Sequence, residues 1–246
     1  MEVRAENIKP YDNRRGKTEQ VRQMFDSIAP AYDFMNRMMT FGVDRLWRRR
    51  AVRTVVEAGA KIIVDIATGT GDLAIAMARA IPGSKITGLD LSEGMIELGR
   101  GKVTEAGLDD RVTLTRADCL DMPLPDASAD AVTVAYGVRN FEHLDRGYAE
   151  MYRVLRPGGT LCVVELSTPV NPIVKPFYKL YTRFIIPAIG RLVSKDVRAY
   201  SYLPESIAAV PQGDEMLSLI AEAGFTDCRF RRLTFGVCTI YTARRC

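Results

Sequence analysis

From residue 61 the chain alternates short apolar runs with longer stretches in which apolar residues return every three or four positions. Lys61-Ile62-Ile63-Val64-Asp65-Ile66 is β-branched with one acid, which suits a parallel strand covered on both faces. It breaks at Ala67-Thr68-Gly69-Thr70-Gly71, and helical spacing resumes over 72–81. The alternation continues with strand 85–90, a helix over 92–106 that opens on Ser92 and stops at Gly107, and strands 112–115 and 131–135. A helix over 144–155, a Pro157-Gly158-Gly159 turn and strand 160–166 follow, after which regular alternation lapses for some forty residues. A helix over 214–223 and strands near 225–233 and 237–243 close the chain. The pattern predicts one α/β layer structure: a seven-stranded sheet with helices on both faces and ligand at the strand carboxyl ends.

Candidate chemistry gathers at those ends. Gly69 and Gly71 let the backbone approach a ligand closely, and the next helix points free N–H groups at the turn. Asp65 ends the first strand, Asp90 ends the second and is followed by Leu91, and Asp118 with Cys119 follows the third. An acid after the second strand can accept from ribose hydroxyls, and one after the third from an adenine amino group. A glycine turn with one acid also fits a nicotinamide dinucleotide enzyme. Asp65 with Gly69, Asp90, Asp118 and the later Leu155-Arg156-Pro157-Gly158-Gly159 together resemble the seven-stranded S-adenosylmethionine methyltransferases instead.

Before residue 61 the pattern differs. Residues 1–17 are polar and basic without a periodic apolar face, and read as a flexible arm. Val21, Met24, Phe25 and Ile28 then recur at helical spacing, with Thr18 as cap and Pro30 as stop. Tyr32-Asp33-Phe34-Met35-Asn36 reads as the start of a loop, and a helix carrying Arg48, Arg49, Arg50 and Arg53 runs to about 57. The methionines and aromatics of 34–41 suit either core packing or the wall of a long apolar substrate site. In the later insertion Lys175, Lys179 and Arg183 fall at i, i+4 and i+8 among bulky apolar residues of 173–187. That is a basic amphipathic segment, read as a membrane-surface helix or a substrate lid.

Composition narrows the classes. The 246 residues with 47% hydrophobic content suffice for a full core, and a net charge of +4 is too mild to indicate nucleic acid. Five cysteines without a C-x-x-C pair indicate neither disulfides nor a metal site, and fit a reducing cytoplasm. The amino terminus has no signal-peptide core, and no run of about 18 apolar residues occurs.

Tyr32-Asp33-x-Met35-Asn36, Gly42-x-Asp44-Arg45-Leu46-Trp47, Gly137-Val138-Arg139-Asn140, Leu155-Arg156-Pro157-Gly158-Gly159 and Tyr200-Ser201-Tyr202-Leu203-Pro204-Glu205-Ser206-Ile207 together resemble the menaquinone/ubiquinone-biosynthesis C-methyltransferases. The likeness runs from about residue 18 to the end. It implies a Rossmann-like class I methyltransferase domain over 18–246, with a helical substrate cap at 18–58 and an insertion at 167–210 serving as lid or membrane-facing segment. It implies methyl transfer from S-adenosylmethionine, leaving S-adenosylhomocysteine, to a ring carbon of a prenylated quinol, demethylmenaquinol before a benzoquinol. The cofactor set is then Asp65, Gly69, Thr70, Gly71, Asp90, Leu91, Asp118 and Cys119. Thr68 stands where the family often has glycine, and Ala135 where a serine is sometimes a ligand. Peripheral membrane contact is an expected partner, RNA is not, and a homodimer is left open.

A ring carbon is a poor nucleophile until a neighbouring hydroxyl ionises, and a phenol pKa near 10 leaves little anion at neutral pH. Arg139 is the candidate to favour the phenolate, with Asn140 orienting its oxygen and Tyr32 passing the proton. Asp33, Met35, Tyr136, Tyr202 and Ser206 are the candidate acceptor contacts. His143, the sole histidine, reads as a surface residue near a helix start.

Overall fold

The computed structural model describes residues 3–12, 14–186, 188 and 197–246. Seven strands, β1 (Ile62–Ile66), β2 (Lys85–Asp90), β3 (Val112–Arg116), β4 (Ala129–Ala135), β5 (Leu155–Leu166), β6 (Thr226–Leu233) and β7 (Cys238–Arg244), form one sheet in the order β3-β2-β1-β4-β5-β7-β6. The first five are parallel, and β7 runs antiparallel between β5 and β6. This is the expected methyltransferase-type sheet. Strand order reverses between β1 and β4, so the crevice that receives ligands in such sheets opens beyond Ile66 and Ala135.

Alternate residues face opposite sides, as the pleat requires. Val64, Ile66, Val132 and Val134 pack with α7 (Leu144–Val154) and α10 (Asp214–Glu222), while Ile63 and Ala131 pack with α4 (Asp44–Glu57), α5 (Asp72–Ala80) and α6 (Glu93–Glu105). Two sandwiched faces explain why these strands read as continuous apolar runs.

Three local expectations change. The segment from Tyr32 is not a loop: α2 (Lys17–Ile28) passes through a 3-10 turn at Ala29–Ala31 into α3 (Tyr32–Met39). Pro30 sits in the first turn of a new helix, where its missing N–H costs nothing, and Met35 is buried beneath it. β5 begins at Leu155 and carries Pro157-Gly158-Gly159 as a bulge, with Ala129 opposite Leu155 and Ala131 opposite Thr160. Thr18 is not the cap of α2; Gly16 holds that position, and the Lys17 and Thr18 N–H groups donate to Glu142 instead.

The basic arm is docked rather than free wherever it is described, Met1, Glu2 and Asn13 lying outside the described residues. Val3 and Ala5 are buried, and α1 (Arg4–Asn7) lies against the turn after β4. The cause is Lys17, a fully buried ammonium whose Nζ donates to the carbonyls of Ala5 (2.7 Å), Arg139 (2.9 Å) and Phe141 (3.0 Å). Three donors meet three acceptors, which offsets part of the cost of burial, and burial still lowers the Lys17 pKa to about 7. The insertion carries α8 (Val174–Leu180), a π-helical turn at Tyr181–Ile185, and α9 (Val197–Ala209). Of the segment 173–187 only Pro187 lies outside the described residues, as do 189–196 of the insertion. α2, α3, α9 and Met95 form a third apolar cluster that roofs the strand ends.

Candidate active site

Each element delivers its functional group by the same logic: a buried strand stops at the crevice, and its last polar residue stays there. Asp65, one residue before the end of β1, pairs in register with Thr133 on β4 and accepts from Thr133 Oγ1 (2.5 Å) and Thr68 Oγ1 (2.7 Å). Burial pushes its carboxyl up to about 6 against those two hydrogen bonds. Beyond it the chain turns through Gly69 and Gly71, both at positive φ, the latter as N-cap of α5 at φ 76°. Asp90 at the end of β2 accepts from Gly69 N (2.8 Å) and Ser92 N (2.9 Å), so one carboxylate ties the glycine turn to the start of α6. Its pKa is also raised by burial, with those N–H groups working the other way.

Ala67 and Tyr136, just past β1 and β4, both hold positive φ without being glycine. Such conformations cost about 1 kcal/mol or more each, and both stand where a strand gives way to the crevice. Between them lie three connected cavities that share Tyr32 and Tyr136. One is lined by Asp90, Leu91, Met95, Asp118, Cys119 and Phe25; the next, polar, by Asp65, Gly69, Thr70, Asp33 and Arg48. These two form a groove along the strand ends that contains seven of the eight expected cofactor residues; Gly71 lies in the turn behind it. Asp118 keeps one oxygen on Leu120 N (2.9 Å).

The third is a largely apolar cavity of 370 Å³ reaching from Tyr32, Tyr136 and Arg139 past Trp47, Tyr178, Leu203 and Val237 to Phe41 and Phe177. A smaller pocket beside it is lined by Met35, Arg139, Asn140 and Tyr202. Arg139 is buried on the 3-10 turn Val138–Asn140 and pairs with Glu165 Oε1 (2.7 Å), while its Nε has no partner. Burial weighs against this cation, yet Glu165, Tyr32 and Tyr202 hold its pKa above the ordinary value. Tyr202 donates to Asn140 Oδ1 (3.1 Å), leaving the amide NH2 to donate elsewhere. Tyr32 and Tyr136 are pushed up by burial and stay protonated at neutral pH, and the Tyr136 hydroxyl has no partner.

Several expected acceptor contacts are placed differently. Asp33 faces the polar groove, accepting from Thr70 Oγ1 (2.7 Å) and Lys102 Nζ (2.8 Å), which hold its carboxylate there. Ser206 is fully buried, donates back to Leu203 O within α9 and lines none of these cavities. Met35 and Tyr202 line the small pocket rather than the large one, and of the five only Tyr136 faces the large cavity. His143 is exposed and outside all four.

Sequence reasoning missed the fixings from α2. Asp26 accepts from Ser92 Oγ (2.6 Å) and Gly94 N (3.2 Å), and Glu142 takes Lys17 N, Thr18 N and Thr18 Oγ1. Together with Lys17 they hold α2 over the groove, where Thr18, Val21, Arg22 and Phe25 form its roof. Nothing in the local spacing marks these contacts, since the bonds of Asp26 to Ser92 and Gly94 and of Glu142 to Lys17 and Thr18 span 66 to 125 positions.

A family model described as the ubiE/COQ5 methyltransferase family matches residues 13–245. A Bacteroides fragilis protein named demethylmenaquinone methyltransferase is 48% identical over 245 residues, 100% of both chains. A Geobacter sulfurreducens protein named ubiquinone/menaquinone biosynthesis C-methyltransferase UbiE is 45% identical over 230 residues, 93% of this chain and 90% of that one. Among solved structures, a Thermotoga maritima SAM-dependent methyltransferase, described as a possible histamine N-methyltransferase, superposes with a TM-score of 0.64 at 18% identity, covering 92% of this chain and 99% of that one.

Proposed function

The chain belongs to the ubiE/COQ5 methyltransferase family, and from that premise we propose that it methylates a ring carbon of a prenylated quinol, demethylmenaquinol first. It is an S-adenosylmethionine-dependent C-methyltransferase of quinone biosynthesis. One observation carries the choice of acceptor: the polar groove and the 370 Å³ apolar cavity meet at Tyr32 and Tyr136. The residues fit their ligands. Half-buried Asp90 and Asp118 suit ribose and adenine, Asp65 with the Gly69–Gly71 turn suits an amino-acid end, and an apolar cavity suits an isoprenoid.

S-adenosylmethionine supplies a methyl group already activated on sulfonium. What remains for the chain is to make the ring carbon nucleophilic and align it. The Arg139 guanidinium, fixed on Glu165 and with Nε unpaired, stabilises the phenolate oxygen where water is excluded. Asn140, held by Tyr202, orients that oxygen, and protonated Tyr32 stands at the junction to pass a proton. The oxidised quinone has no ionisable hydroxyl and is no acceptor. The acceptor's tail leaves the cavity on the face carrying 173–186, which we place against a membrane. Among the described residues no helix is long and apolar enough to cross one.

The test is single-turnover transfer from labelled S-adenosylmethionine to a demethylmenaquinol, a demethylated prenyl benzoquinol and bulk RNA, each quinone reduced and oxidised. Label on the reduced naphthoquinol is expected. Label on the benzoquinol moves the reading to the ubiquinone step, and label on RNA, or none with cofactor bound, overturns the acceptor.

A further inference from the structure

Two of the aromatics lining the large cavity are also among the most exposed residues of the protein: Phe41 (80% exposed) and Phe177 (70%) therefore form its mouth. Phe235 (77%) stands next to Thr234, another lining residue, and Ile173, Leu180 and Phe184 continue the exposed apolar surface outward. The rim comes from three chain segments, the α3–α4 turn, the insertion and the β6–β7 turn. They are pinned to one another from below. Tyr181 donates to Met39 O (2.7 Å), Trp47 Nε1 to Thr234 Oγ1 (2.8 Å), and Ser167 Oγ to Gly236 O (2.8 Å).

The backbone is strained to present these rings. Phe41 holds φ 51° and Phe235 φ 56°, a left-handed conformation that a bulky residue adopts only when its surroundings impose it. Exposing large aromatics at a strained position gains nothing in water. Charge completes the picture: segments 34–43, 167–186 and 228–246 contain no Asp or Glu, while Lys175, Lys179 and Arg183 are exposed among the rim residues.

We infer that this rim is a docking face for an anionic lipid bilayer, its aromatics seated at the acyl–headgroup boundary and its cations on the headgroups. The inference rests on the reading of the cavity as the acceptor site. Seated this way, the mouth opens into lipid, and a quinol ring reaches Arg139 while its tail never crosses water. A second copy of the chain fits the face less well, because a two-fold contact would set Lys175, Lys179 and Arg183 against their own equivalents.

The full-length protein is sedimented with phosphatidylcholine vesicles, with and without phosphatidylglycerol, in the absence of any quinone. Wild type is expected to pellet with the anionic vesicles and to be released by salt. Phe235→Asn, which suits the left-handed backbone, combined with Ile173→Ser should lower partitioning roughly tenfold, and Lys175→Glu with Lys179→Glu should abolish the preference for anionic lipid. None of these four lines the cavity, so methylation of a short-tailed, water-soluble quinol should match wild type while methylation of a long-tailed quinol in vesicles falls with partitioning. Wild type remaining in the supernatant, variants pelleting like wild type, or the substitutions changing only a monomer–dimer equilibrium would each overturn the docking face. Vesicle binding is read without acceptor, so a failed methylation assay beside intact binding faults the acceptor reading instead.

Discussion

The groove along the strand ends and the cavity beside it touch at Tyr32 and Tyr136 but are built by opposite means. The groove is assembled from successive strand–turn–helix units, each contributing a carboxylate or a glycine turn at a place fixed by strand register. The cavity is enclosed by pieces of α3, α4, the turn after β4, the insertion, α9 and the β6–β7 turn. The first is an outcome of local sequence repeated along the chain. The second is an outcome of tertiary packing, and it sets Arg139, paired with Glu165, and the Asp44–Arg48 pair in a largely apolar wall.

The Arg139–Glu165 pair gives the strongest way to break the comparison. Arg139→Met should lower single-turnover methyl transfer by about 10²–10³ and destabilise the fold by about 3–5 kcal/mol, because Glu165 is left buried and uncompensated. Adding Glu165→Gln should restore much of the stability, measured by urea unfolding, without restoring transfer. Recovery of both together would make the arginine a purely structural ion pair. Cofactor affinity should stay near wild type throughout, since Arg139 lines the cavity and not the groove.

On the groove side the buried acid is Asp65. Its carboxyl rises from 3.8 to about 6 on folding, so between those values the folded state holds more protons than the unfolded one. Stability should therefore fall as pH rises from about 4 to about 6 and then level off, by up to about 3 kcal/mol on the linkage slope. Asp65→Asn should remove that fall from an unfolding series across the same range. A wild type whose stability is flat there would mean that Thr68 and Thr133 compensate the buried charge fully.

Asp90 sharpens the division further. Asp90→Ala removes a charged acceptor and leaves Gly69 N and Ser92 N without it, so cofactor affinity by calorimetry should drop about 10- to 100-fold while saturated turnover changes little. Equal losses of affinity for Asp90→Ala and Arg139→Met would erase the separation of roles between groove and cavity.

What the sequence makes legible follows the same line. Asp65, Asp90 and Asp118 could be placed because a strand ending in an acid before a turn has one structural outcome, and the register of Asp65 with Thr133 fulfils it. Tyr32 and Arg139 were legible as chemistry but not as geometry: the first was expected on a loop and lies on a helix, and the second is held by Glu165. Ser206 and Met35 were assigned by motif, yet helical phase turns Ser206 toward Leu203 O and Met35 into the third apolar cluster. Lys17 and Asp26 left no trace, because a lysine in a polar arm looks solvated until carbonyls from the arm and from the turn after β4 converge on it.

The smallest effect tests the cavity's own identity, since an apolar void beside an active site can be idle packing space. Val237 lines it from the β6–β7 turn, remote in sequence from every groove residue. Val237→Phe places added ring volume in the void, where overpacking costs are low because space exists to receive it. If the void houses the acceptor's tail, KM for a long-tailed quinol should rise about tenfold, the scale set by a few methylenes excluded from an apolar site, with cofactor Kd unchanged. A short-tailed quinol that does not extend to Val237 should lose far less. If both acceptors respond alike, the cavity wall supports Tyr136 rather than substrate, and the contrast between a groove built for recognition and a cavity built for solvation of a tail would have to be redrawn.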